Sequence, residues 1–176
     1  QAANTLSEGE VIQMKNAHDP AVDEARYLLV IERKTSVLFA AAAKMASALA
    51  NASETEEKAL VDYCMALGNA FQIADDILDY SGDSSESGKL IGADFAEGKV
   101  TLPVIYAMQN TDEVNRAFIE QAIRDGHGDF EKISAIIVES GAIERCKQRA
   151  NEELQKGRDA LQVLSPSIFK NSLIEL

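Results

Sequence analysis

Histidine and cysteine are nearly missing from this sequence, with two of each in 176 residues. His18 and His127 fit no triad or metal pattern and are read as structural or surface residues. Cys64 and Cys146 lack metal-ligand spacing; they read as buried or half-buried thiols in a reducing compartment, so a cytoplasmic protein is expected. Basic residues are scarce too. Seventeen Lys and Arg against 29 Asp and Glu leave a formal net charge of -12. No broad basic surface can neutralise a nucleic-acid backbone, which excludes that partner class. A small anionic substrate is not excluded, because it needs only a few local lysines. Long apolar runs are lacking as well: "SVLFAAAAKMASALA" is interrupted by Lys44 and is too short on either side to cross a bilayer. No secretory signal is visible. The chain opens with Gln1 rather than Met and is expected to be a piece of a longer one.

What is present reads almost wholly as helix. Thr5 or Ser7 is expected to cap a first amphipathic helix, and Asp19 with Pro20 to open a second through "AVDEARYLLVIERK". A third, through "TSVLFAAAAKMASALA", is apolar nearly all round and is expected to be buried. Ser53 to Glu56 form a capping box that should start a long helix ending near Tyr80. Residues 81–99, "SGDSSESGKLIGADFAEGK", lack periodicity and are read as a long mobile loop. Thr101 and Pro103 restart a helix, and more amphipathic helices follow, broken at "DGHGD", Gly141 and "SPS". The fold expected is all-α, one domain over residues 1–176, an antiparallel helical bundle.

Chemistry concentrates in "FQIADDILDY", residues 71–80. On a wheel with Asp75 at zero, Asp79 falls near ~40°, Gln72 near ~60° and Asp76 near ~100°. One helix face therefore carries Gln72 and all three carboxylates, and the opposite face is apolar. This breaks local rules. Aspartate is a poor helix-interior residue, and negative charge late in a helix opposes the macrodipole by about 0.3–1 kcal/mol each. A merely solvated acidic face would carry Lys or Arg four residues away, and none is there. A hard divalent cation such as Mg²⁺ would remove the penalty, with phosphate and water completing its shell. Lys34, Lys89 and Lys99 are the nearby point charges for that phosphate. Residues 83–94 superficially fit a calcium loop, but Ser85 and Ser87 are weak ligands and Asp94 is shorter than the Glu required.

The run "GNAFQIADDILDYSGDSSESGKLIGADFAEGKVTLP", residues 68–103, resembles the trans-isoprenyl diphosphate synthases, or polyprenyl synthetases. The elements are "FQ", "DDxxD", "GD", "GK", "GAD" and "EGK" in order, and "ERKTSVLFAAAA" is similar to the family's Lys-Thr segment. The resemblance implies an isoprenoid-synthase helical fold present as its C-terminal half. It implies Mg²⁺ held with Asp75, Asp76 and Asp79, and lysines Lys34, Lys89 and Lys99 on the diphosphate side. Thr35 and Gln72 match residues near the allylic carbon, and Phe71 an aromatic beside the second substrate. Lys34, Thr35, Gln72 and Lys99 are the catalytic candidates so implied.

The implied reaction joins isopentenyl diphosphate head-to-tail to an allylic diphosphate. No first aspartate-rich motif and no "GGKR"-type segment is found, so the 176 residues by themselves are expected to transfer little or nothing. The wording of "EGEVIQM" and "YLLVIERKTSVLFAAAA" is more similar to long-chain synthases than to short-chain ones. A homodimer, and transient membrane contact of a greasy product, are further implications. The alternative is a non-catalytic regulatory subunit of a two-part synthase; the paired "GK" and "EGK" argue against a terpene cyclase.

Overall fold

The computed structural model describes residues 2–81 and 92–176, and helix is the only regular structure among them. Helix α1 spans Ala2–Asn16 and α2 Glu24–Ile31; a π-helical turn at Glu32–Ser36 leads into α3, Val37–Leu49. The long α4 runs Glu54–Ser81. The rest comprises α5 (Ala93–Ala96), α6 (Leu102–Gln109), α7 (Glu113–Asp125), α8 (Phe130–Glu139), α9 (Ala142–Ala160), a 3-10 turn (Leu161–Val163) and α10 (Ile168–Glu175).

Most boundaries follow local chemistry. The Ser53 N–H donates to Glu56 Oε2 at 2.9 Å and the Glu56 N–H to Ser53 Oγ at 3.3 Å, the reciprocal capping box that starts α4. Thr101 precedes α6, with Pro103 in its first turn. Two starts differ from expectation. Helix α1 already runs from Ala2, so Thr5 and Ser7 lie inside it; the Ser7 hydroxyl donates back to Ala3 O at 3.1 Å. Helix α2 begins four residues later than Pro20 because Asp23 is the cap, accepting from the Arg26 N–H at 2.8 Å. Asp19 instead closes a turn, accepting from the Ala21 N–H at 2.9 Å.

The core gathers where α4, α6, α7, α8 and α9 meet. Ile73, Leu102, Val104, Ile119, Ile133, Ile137 and Cys146 are fully enclosed. Each such branched aliphatic contributes about 1.5–3 kcal/mol on burial. The helix buried on every side is α6, from Leu102 to Met108, not α3. Helix α3 lays Ala40, Ala43 and Ser47 against its neighbours and leaves Leu38, Met45 and Leu49 exposed, because nothing among the described residues covers that side. Small residues at the contact let α3 approach α4, which packs on its other side along α9. No helix of the described residues is long and apolar enough to cross a membrane.

Of the stretch expected as a loop, residues 82–91 lie outside the described residues, and with them Lys89 and most of the calcium-loop-like segment. The remainder is ordered. Gly92 adopts φ 81° and donates its N–H to Asp79 O at 3.1 Å, and Phe95 of α5 is buried.

Candidate functional site

A cavity of about 440 Å³ opens above the polar face of α4. Its floor is Gln72, Asp75, Asp76 and Asp79; one wall is Tyr27, Lys34 and Thr35, the other Asp94, Lys99 and Thr101. The wheel argument holds for the polar face, which lines the cavity, and for Ile73, Ile77 and Tyr80, which enter the core. Leu78, expected on the core face, instead lines the cavity and is 55% exposed, and Ala74 is exposed too. Of the residues expected at a site, Lys34, Thr35, Gln72, Asp75, Asp76, Asp79 and Lys99 meet here although they come from three separate segments. Phe71 does not line it. That ring is 56% exposed and packs 5.9 Å from Phe39.

A hydrogen-bond chain crosses the cavity floor. The Thr35 hydroxyl donates to Gln72 Oε1 at 2.9 Å, and Gln72 Nε2 donates to Asp76 Oδ1 at 2.8 Å. The Tyr27 hydroxyl donates to the other oxygen of Asp76 at 2.7 Å. Asp76 is buried, and burial pushes its carboxyl up to about 7 against the opposing pull of those two donors. Burial, with Asp76 beside it, raises the Tyr27 phenol well above its ordinary value, so it remains a donor. Asp79 Oδ2 accepts from the Asp94 N–H at 3.2 Å, and its carboxyl is raised by burial and by the Asp94 charge. Lys99 keeps its charge. Burial works against it, but Asp94 at 2.6 Å and Glu97 at 2.9 Å carry its pKa above the usual lysine value. Lys34 reaches Gln13 Oε1 at 2.6 Å and Glu10 at 3.1 Å.

Sequence reasoning missed Tyr27, Gln13 and Asp94 as parts of this site. Tyr27 sits in an apolar run, and its partner lies 49 positions away, so no local signal marks it. Among the described residues no three His, Cys, Asp or Glu side chains converge tightly enough to enclose a metal ion. The donor set nevertheless fits a hard cation that takes one or two carboxylates and fills its shell with anionic ligand and water. Acid on the floor with a lysine on each wall can hold such a cation together with a phosphate-bearing anion.

The polyprenyl synthetase family model matches residues 1–139. The chain belongs to the polyprenyl synthetase family. An octaprenyl diphosphate synthase of Haemophilus influenzae is 43% identical over 99% of this chain and 54% of its own length. An all-trans-nonaprenyl-diphosphate synthase (geranyl-diphosphate specific) of Rhodobacter capsulatus is also 43% identical, over 97% of this chain and 53% of its own. Among solved structures, a decaprenyl diphosphate synthase of Rhodobacter capsulatus superposes with a TM-score of 0.90 at 39% identity, covering 99% of this chain and 55% of that one. A polyprenyl synthase of Caulobacter crescentus, solved with calcium and isoprenyl diphosphate, reaches 0.94 at 36% identity over 99% of this chain and 54% of that one. This polyprenyl synthetase chain thus spans about half the length of the relatives it matches.

Proposed function

We propose that this chain carries one half of a prenyltransferase site, for Mg²⁺-dependent head-to-tail condensation of isopentenyl diphosphate with an allylic diphosphate to a long polyprenyl diphosphate. The observation that carries the reading is the line Thr35–Gln72–Asp76 set between Lys34 and Lys99 in one cavity. The octaprenyl, nonaprenyl and decaprenyl relatives support a long product. A cytoplasmic homodimer whose product touches membranes transiently is part of the same reading. The regulatory-subunit alternative is disfavoured because this chain keeps the aspartates and described lysines that the chemistry needs.

Asp75, Asp76 and Asp79 would hold Mg²⁺, Asp76 through lone pairs left over by Tyr27 and Gln72. Bound there, Mg²⁺ would supply Lewis-acid stabilisation of the leaving diphosphate. Lys34 and Lys99 exchange their present carboxylate and amide partners for diphosphate oxygens, an electrostatic role. Gln72 is oriented by Asp76: its amide nitrogen is committed to the carboxylate, so its carbonyl oxygen faces Thr35. Those two oxygen dipoles then lie beside the carbon at which positive charge develops. No side-chain nucleophile is needed for this chemistry.

The test is calorimetric titration of inorganic diphosphate into the full-length protein with and without Mg²⁺. Binding is expected only with Mg²⁺, and Asp75→Asn should abolish it while leaving the melting temperature almost unchanged. Equal binding by Asp75→Asn would remove the metal role from this helix.

A further inference from the structure

The segment that carries Lys34 and Thr35 is not ordinary helix. Residues Glu32–Ser36 wind as a π turn, closed by the Val37 N–H donating five residues back to Glu32 O. Such turns persist only where their surroundings hold them, and they gather at functional sites. Two glycines grip this one. A Cβ on Gly9 of α1 would fall 2.8 Å from Lys34 N, and one on Gly68 of α4 would fall 2.7 Å from Ser36 Cα. The turn is therefore pressed between two backbones with no room for a methyl group on either side.

Beneath it runs a buried polar line that the prenyl-transfer reading does not use. Ser36, Asn69 and Glu153 are 0%, 5% and 4% exposed. The Ser36 hydroxyl donates to Asn69 Oδ1 at 2.5 Å, and Asn69 Nδ2 donates to Glu153 Oε2 at 3.0 Å. Glu153 Oε1 pairs with Arg149 Nη1 at 2.6 Å, as an ion pair off hydrogen-bond alignment, and accepts from Lys156 Nζ at 2.7 Å. Arg149 Nε then donates to Glu24 of α2 at 2.9 Å. From α9 one branch passes through Asn69 of α4 to Ser36, and the other runs directly from Arg149 to Glu24, so the two ends of the α2–π segment are both tied to α9. A buried charged network is a poor source of net stability compared with apolar packing. Its Ser36–Asn69–Glu153 part does fix geometry, because the Asn69 amide oxygen and nitrogen each have a buried partner. Ser36 is held inward by Asn69 while its neighbour Thr35 faces the cavity.

We propose that Asn69, held between Ser36 and Glu153, is a positioning residue for prenyl transfer: it fixes the π turn and so sets where Lys34 and Thr35 meet the substrate. The proposal rests on the reading of Lys34 and Thr35 as substrate-facing. A misplacement on the scale of 1 Å costs up to about a hundredfold in rate, so Asn69→Ala in the full-length enzyme should lower kcat by about tenfold to a hundredfold.

The decisive experiment is a double-mutant cycle in kcat with Thr35→Ala, because residues acting through one another lose less together than the product of their separate losses. The combined Asn69→Ala, Thr35→Ala enzyme is expected to be clearly less impaired than that product. Ser36→Ala runs the same cycle if Asn69→Ala does not fold. Multiplicative losses, or an unchanged kcat in Asn69→Ala and Ser36→Ala, would overturn the positioning role while leaving the site intact. A wild-type kcat in Thr35→Ala would instead overturn the reading of the site, and the inference with it.

Discussion

At the scale of single residues, Glu153 and Tyr27 show how buried polarity is kept tolerable. Burial alone would raise the Glu153 carboxyl, but Lys156, Asn69 and Arg149 outweigh it and hold it below its ordinary 4.5. A depressed carboxylate stabilises the fold fully above its unfolded value and loses that contribution as pH falls through the folded one. The gap in melting temperature between the parent protein and Glu153→Gln should thus stay level above pH 4.5 and close as pH drops below it. A constant gap down to pH 3 would mean that the charge contributes nothing. Tyr27 is a second case. Tyr27→Phe leaves a buried Asp76 oxygen without its donor and should cost about 1–3 kcal/mol in urea unfolding. An unshifted midpoint would show that water takes over the bond.

At the scale of elements, the turns that flank the site depend on left-handed glycines and on a histidine. Gly98, just before Lys99, has φ 76°, and a Cβ there would fall 2.3 Å from the His18 ring. His18 itself sits at φ 60°, its N–H donates to Gly98 O at 2.9 Å, and its Nδ1–H donates to Ile123 O at 3.0 Å. This histidine, expected to be a structural or surface residue, ties the turn after α1 to the turn that carries Lys99. Gly141 is the control: φ 74°, with nothing within 4 Å of an added Cβ. Gly141→Ala should cost only the left-handed backbone penalty, about 1–2 kcal/mol. Gly98→Ala should cost more by thermal denaturation, because it adds a collision with the ring. Equal costs would mean that the ring moves aside freely.

At the scale of the whole molecule, burial is uneven. The core around α6 is closed, whereas one side of α3 presents Leu38, Met45 and Leu49 to solvent. Ile133→Ala, at a fully enclosed position, should cost about 2–5 kcal/mol. Met45→Gln and Leu49→Gln should each change the stability of the 176-residue chain by less than about 0.5 kcal/mol, since exposed positions give up little. Chemical denaturation of the three variants checks this, and a large loss at Met45 would show that its surroundings differ from those described.

By itself the sequence determined the helical class, the capping box at Ser53, the restart at Thr101 and the shared face of Gln72, Asp75, Asp76 and Asp79. Those depend on residues within one or two turns of each other, so period and cap chemistry carry them. It also brought forward Lys34 and Lys99, as point charges near the aspartates, and Thr35, through a motif order that resembles a family rather than through geometry. Only the tertiary structure decided that α6 rather than α3 is the enclosed helix, because enclosure depends on what other segments arrive at each face. The same holds for the Tyr27 bond to Asp76 across 49 positions, and the Asn69 bond to Glu153 across 84. The π turn belongs with them: the glycines that grip it come from α1 and α4, and no window of sequence around Lys34 contains either.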